Sequence, residues 1–169
     1  DRAILISPMI VPLIITAAGM FFFYARINLV YTFTGVILAH VALATPFVVI
    51  TVTATLVGFD MNMVKAAQSL GAKPMRTFFK VIMPLILPGI ISGALFAFIT
   101  SFDEVVIVMF MASIDQLTIP KQMWAGIRQE ISPVILCMAT CLVLLSIFLL
   151  TTVELLRRRS EKLRGIKAR

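Results

Sequence analysis

Four long apolar stretches, separated by short polar ones, organise this chain. They run approximately over Ile4–Ala25, Thr34–Val57, Leu85–Ala112 and Val134–Leu156. Each is long enough to cross a hydrocarbon core of roughly 30 Å, which takes about 20 helical residues. Backbone groups in lipid must be paired within the segment, and the alternation of a barrel strand is absent, so each stretch predicts a helix. Pro8, Pro12, Pro46, Pro84 and Pro88 mark starts or kinks along them. The pattern predicts an all-α membrane protein.

The polar window between the second and third stretches, residues 60–84, predicts a helical hairpin. Asp60 suits the cap of a short helix running to Leu70, and Met63 in place of Glu or Gln means there is no capping box. Gly71 supplies the stop. Pro74 suits the first position of a second short helix, "PMRTFFKVI", which Pro84 is expected to end where the third span begins. Ala66, Ala67 and Gly71 are small, so one surface of the hairpin permits close approach of another protein, and Phe78 and Phe79 are placed to pack beneath it. The same spacing also suits a solvated connector with no partner.

Composition supports immersion in lipid. The 169 residues are 60% hydrophobic and 14% charged, with a mean hydropathy of +1.05, more apolar surface than a soluble core buries. The net charge of +7 does not mark a nucleic-acid binder, because the basic residues lie at the ends of apolar runs rather than on one soluble face. Lys65, Lys73, Arg76 and Lys80 occupy the hairpin, the tail 157–169 "RRRSEKLRGIKAR" is strongly basic, and Arg2 precedes the first span. The other side holds Arg26, Lys121 and Arg128. Positive residues favour the cytoplasm, so the hairpin and the C-terminus are expected inside and the other two connectors outside, with the tail as an orientation anchor at anionic lipid. The chain opens "DRAILISPMIVPLI", without Met or a leader pattern, and reads as a piece of a longer protein.

The third stretch contains "SGALFAFITSFDEVVIVMF", which places Asp103 and Glu104 in an otherwise apolar helix. Ionisable groups at membrane depth are costly and point to function. At 100° per residue, Ser92, Thr100, Asp103 and Glu104 fall within an arc of roughly 120°. Asp103 lies roughly 27 Å along the axis from Leu85, in the outer part of the bilayer. The acids suit an outer vestibule; equally, they cap the end of the span or pair with an Arg of another helix. The outer segment "LTIPKQMWAGIRQEISP" has Met123, Trp124 and Ile127 at helical spacing, with Lys121, Arg128 and Glu130 beside them, and predicts a short interfacial helix in which Trp124 is an anchor or a ligand contact.

The remaining polar positions carry little chemistry. His40, the single histidine, is expected to hydrogen-bond a neighbouring helix. Gly89 and Gly93 have the small-xxx-small spacing of close helix packing. Cys137 and Cys141 share one helix face, where they do not readily bridge, and read as small packing residues. No HExxH, no GxSxG and no phosphate-cradling GxxxxGKS or GxxxxGKT occurs, so neither hydrolysis nor ATP binding is expected of this chain, and no metal or other cofactor.

The window "KAAQSLGAKPMRTFFKVIMP" resembles the EAA loop of binding-protein-dependent ABC importer permeases: E-A-A, three residues, G, nine residues, I-x-L-P. The match covers Lys65–Ala67, Gly71, Val81, Met83 and Pro84, with Lys65 where Glu is usual, Val81 where Ile is and Met83 where Leu is. The resemblance extends over essentially the whole chain. It implies the transmembrane core of a type I ABC importer permease (MetI-like), with four spans present of six, in the bacterial inner membrane. It also implies that the loop 60–84, with Lys65, Ala66, Ala67, Gly71 and Pro84, docks into an ATP-binding cassette ATPase subunit that binds the ATP. A second permease subunit and an extracytoplasmic solute-binding protein are the other implied partners.

"SFDEVVIVMFM", "TIPKQMWAGIRQEISP" and "LAHVALATPFVV" resemble the spermidine/putrescine branch of these permeases. A polyamine joins ammonium groups by methylene stems, so a path for it needs carboxylates and aromatic faces. Asp103, Glu104, Phe102 and Trp124 supply those types, with Thr100 as a polar neighbour. Another solute such as ferric iron or thiamine, and a membrane scaffold that transports nothing, are the alternatives.

Overall fold

The computed structural model describes residues 9–129 and 132–163. Eight helices are named here in chain order. They are α1 (Leu13–Arg26), α2 (Phe33–Val57), α3 (Met61–Ser69), α4 (Pro74–Thr77), α5 (Met83–Phe102), α6 (Val106–Met111), α7 (Ile119–Gln129) and α8 (Pro133–Leu163). Among the described residues, three helical stretches are long and apolar enough to cross a membrane: Phe33–Val57, Pro74–Phe102 and Pro133–Thr152.

The first predicted span, 4–25, is interrupted. Pro12 adopts an extended ψ of 132° as the residue before α1, and its carbonyl accepts from Ile15 and Thr16 N–H. Proline has no N–H to continue a preceding turn, so the chain restarts there. The 14 residues of α1 extend about 21 Å, short of the hydrocarbon core. Pro8 and Arg2 lie outside the described residues.

Helices α2 and α5 form the closest pair, and glycine is the reason. A Cβ on Gly89 would overlap Thr55 Oγ1, and one on Gly93 would overlap Thr51 Oγ1 and stand 3.0 Å from Val48 Cα. Those hydroxyls are already satisfied within α2: Thr51 donates to Phe47 O at 2.9 Å and Thr55 to Thr51 O at 2.9 Å. The glycine face therefore meets a surface with no unpaired donor, as the small-xxx-small spacing predicts. Phe47 and Phe96 stack beside it, with ring centroids 6.5 Å apart.

Two expectations for the third span are corrected. Pro84 does not end the second hairpin helix; α4 runs through a π turn, Phe78–Ile82, into α5 as one 29-residue helix, Pro74–Phe102. Met83 N–H donates five residues back, to Phe78 O. A proline ring collides with the carbonyl four residues before it, here Lys80, and the wider turn makes room. At the other end the helix does not continue to Ala112 but stops at Phe102. Residues 103–105 are non-helical, and α6 starts afresh.

The short helix α6 is the centre of the core. Ile107, Val108 and Met111 are fully buried, with Ala17 of α1 and with Ala39 and Leu43 of α2 around them. Lipid is as apolar as these side chains, so their burial stabilises through close packing rather than through transfer from water. The connector before α2 is folded against the same helix: Tyr31, in the left-handed region at φ 62°, donates its N–H to Met111 O and accepts from Gln116 Nε2 at 3.0 Å.

Helix α7 is the short helix that the outer segment predicts. α8 spans 31 residues, beginning at Pro133 and running past the predicted end at Leu156. Its apolar side chains are largely exposed. Cys137 and Cys141 are free thiols exposed on it, so they do not pack within this chain as expected. Of the basic tail, 157–163 continues α8, and 164–169 lies outside the described residues, as does Glu130.

Candidate functional site

Two polar regions stand out in this apolar scaffold: the hairpin, and the break between α5 and α6. The hairpin is held by local bonds. Asp60 Oδ1 accepts from Asn62 N–H at 2.9 Å, capping α3. At the other end Gly71 N–H bonds to Gln68 O at 2.9 Å and Ala72 N–H to Ala67 O at 3.0 Å. This pair of bonds is a Schellman closure, and Gly71 takes the left-handed φ of 79° that it requires. Pro74 occupies the first turn of α4. Lys65, Ala66 and Gly71 are exposed, and Pro84 lies further along, at the membrane end of the π turn. Met63, Leu70, Met75 and Phe79 also remain exposed, so Phe79 is not covered by α3 as expected. The hairpin surface is basic and apolar together, with Lys65, Lys73, Arg76 and Lys80 among those side chains.

At the break, the two acids part. Asp103 ends α5, its N–H bonded to Ile99 O at 3.1 Å, and its side chain is exposed. Glu104 turns inward, is 5% exposed, and accepts from Ile107 N–H at 2.7 Å. A carboxylate on a first-turn amide satisfies an orphan donor and complements the helix dipole, which explains the new start at α6. Nearby, His40 Nδ1 and Ser101 Oγ lie 2.8 Å apart, joining α2 to α5. The neighbouring-helix bond expected of His40 is present. Ser101 and the break escaped the sequence reading, although an acid immediately before a fresh apolar run is the usual mark of a helix start.

Two cavities flank the C-terminal end of α5. One, of about 500 Å³, lies among α5, α7 and α8 and is lined by Phe102, Asp103, Met123, Trp124 and Ser146, among others. The second, of about 550 Å³, is lined by His40, Ser101 and Thr118, with Phe98 and Phe102. Phe98 and Phe102 line both, stacked with centroids 5.3 Å apart. Of the sequence-predicted path residues, Phe102, Asp103 and Trp124 therefore converge on one cavity. Neither Thr100 nor Glu104 lines either one. Trp124 is half-exposed, at 51%. Chemically the first cavity offers one carboxylate beside aromatic faces in an otherwise apolar cleft, a setting for an organic cation. Among the described residues, no three His, Cys, Asp or Glu side chains come together to hold a metal ion.

An all-helical membrane chain with a polar hairpin between spans and a broken helix in its core has the build of a transport permease. The chain belongs to the family of inner membrane components of binding-protein-dependent transport systems, which it matches over residues 2–162. It is 30% identical over 153 residues to the spermidine/putrescine transport system permease protein PotC of Haemophilus influenzae, covering 90% of this chain and 60% of the relative. PotC of Escherichia coli K12 is 29% identical over 154 residues, 91% of this chain and 58% of the relative. The putrescine transport system permease protein PotI of the same organism is 37% identical over 103 residues, 61% and 37% of the two chains. The chain thus spans about three fifths of the length of the PotC relatives it matches.

Proposed function

We propose that this chain forms part of the transmembrane path of an ATP-driven importer for a polyamine, with the hairpin 60–84 as its coupling element to an ATPase subunit. The observation that carries the substrate reading is the convergence of Asp103, Phe102 and Trp124 on one apolar cavity. A carboxylate neutralises an ammonium, the aromatic faces attract it, and the apolar walls suit a methylene stem. The names of the relatives support the same substrate class.

The coupling reading is supported by the hairpin's shape and surface. A Schellman-closed helix followed by a continuous 29-residue helix gives a rigid link from an exposed basic and apolar surface to the break at Asp103. Motion at the hairpin would thereby reach the cavity. In the resulting complex, ATP is bound and hydrolysed by the ATPase, a second permease subunit completes the path, and a solute-binding protein delivers substrate from outside. The distribution of Lys and Arg supports a cytoplasmic hairpin and C-terminus.

The test is ATPase activity in liposomes containing the full-length complex and its binding protein, with and without putrescine and spermidine. Polyamine stimulation that Asp103→Asn weakens supports the reading. Stimulation by another cation alone, such as ferric iron or thiamine, overturns the substrate, and no stimulation by any solute leaves a scaffold.

A further inference from the structure

The short helix α6 ends inside the protein, and its last carbonyls need donors. Tyr31 N–H serves Met111 O, and Ala112 N–H closes the last turn on Val108 O at 3.0 Å. The remaining capacity of Val108 O and the carbonyl of Ala112 are taken by a charged side chain from another element, Lys121 Nζ, at 3.4 and 3.3 Å. Lys121 sits in the first turn of α7 and reaches back across the connector 113–118. Val108 is fully buried and Ala112 nearly so, which makes the two carbonyls a recessed acceptor pair at the negative end of a helix.

The chemistry that fits this pair is narrow. It takes a group with several N–H donors and a positive charge on a slim stem. A quaternary ammonium has no N–H, and an alcohol lacks the charge. The Lys121 side chain is a butylammonium, the same fragment that terminates a butane-1,4-diamine. We propose that the carbonyls of Val108 and Ala112 form a primary-ammonium site, that Lys121 is its resident occupant, and that an ammonium of the transported amine displaces Lys121 and so frees α7 from α6. The displacement rests on the polyamine reading above; the site itself does not. Asp103 and Trp124 line the cavity beside the same α7, so the amine approaches within a structure already suited to it.

The experiment is thermal unfolding of the full assembled transporter carrying Lys121→Ala, titrated with propylammonium and with butane-1,4-diamine. A vacated site predicts saturable stabilisation of the variant by both amines, a much smaller shift in the unsubstituted protein, and none with tetramethylammonium or butanol at matched ionic strength. Equal shifts in both proteins, or no amine-specific shift, overturn the site. If Lys121→Ala does not assemble, it is expressed with the diamine present: recovery by the diamine and not by butanol supports the site, and no recovery overturns it. Displacement is read separately in ATPase assays. If displacement of Lys121 is the signal, the transporter carrying Lys121→Ala hydrolyses ATP faster without amine and gains little more from the diamine, whereas unchanged diamine stimulation of the variant overturns displacement. Amine stabilisation of the variant without diamine-stimulated hydrolysis in the unsubstituted transporter keeps the site and overturns its role in transport.

Discussion

His40 on α2 and Ser101 on α5, 61 positions apart in the chain, share a hydrogen bond of 2.8 Å. It is a polar cross-link between the two helices whose glycine contact brings them closest, and it lies directly before the break at Asp103. The two side chains should be coupled by about 0.6 kcal/mol, the average for hydrogen bonds between membrane helices, and by no more than about 1.7 kcal/mol. Unfolding of Ser101→Ala, His40→Ala and the double variant checks this. Additive losses would mean that the bond contributes nothing of its own.

The two acids should separate by readout. Glu104→Ala removes the acceptor of the Ile107 amide inside the core and should cost about 1–2 kcal/mol in unfolding measurements. Glu104→Gln keeps an acceptor and should cost less. Asp103→Asn, on an exposed side chain, should leave the unfolding midpoint in place while weakening polyamine stimulation of ATP hydrolysis.

Glycines predict opposite outcomes at two positions. Gly93→Ala puts a methyl against Thr51 Oγ1 and Val48 Cα, and backbone cannot move aside as a side chain does, so about 1–3 kcal/mol should be lost. A methyl added at Gly19, in α1, would meet no atom within 4 Å. Gly19→Ala should therefore be neutral or stabilising by up to about 1 kcal/mol through helix propensity. Melting of both variants in the same detergent decides.

Gly71 carries the hairpin closure at φ 79°. Gly71→Ala should cost about 1–2 kcal/mol locally, and Gly71→Asn less, because Asn tolerates the left-handed region. Since the strain falls on the exposed hairpin and not on the core, the expected signature is loss of substrate-stimulated hydrolysis with the membrane part still folded. Equal loss for both substitutions would exclude the backbone explanation.

Much of this protein was legible in its residues because helix formation in lipid is local. The second apolar run, the cap at Asp60, the stop at Gly71 and the start at Pro74 depend on neighbours within a turn or two, and those features stand as the sequence predicts. What depends on other helices was not legible. A hydropathy run over 85–112 does not show that Glu104 caps a new helix, because the break is favoured only once Ala17, Ala39 and Leu43 close around Ile107 and Met111. The charge pattern places Lys121 only among the outer charges, and the fold alone sets it on the carbonyls of Val108 and Ala112. In a soluble helix an apolar stripe marks the buried face; here lipid and protein interior are equally apolar, so the stripe is missing and tertiary contacts alone decide which side faces in.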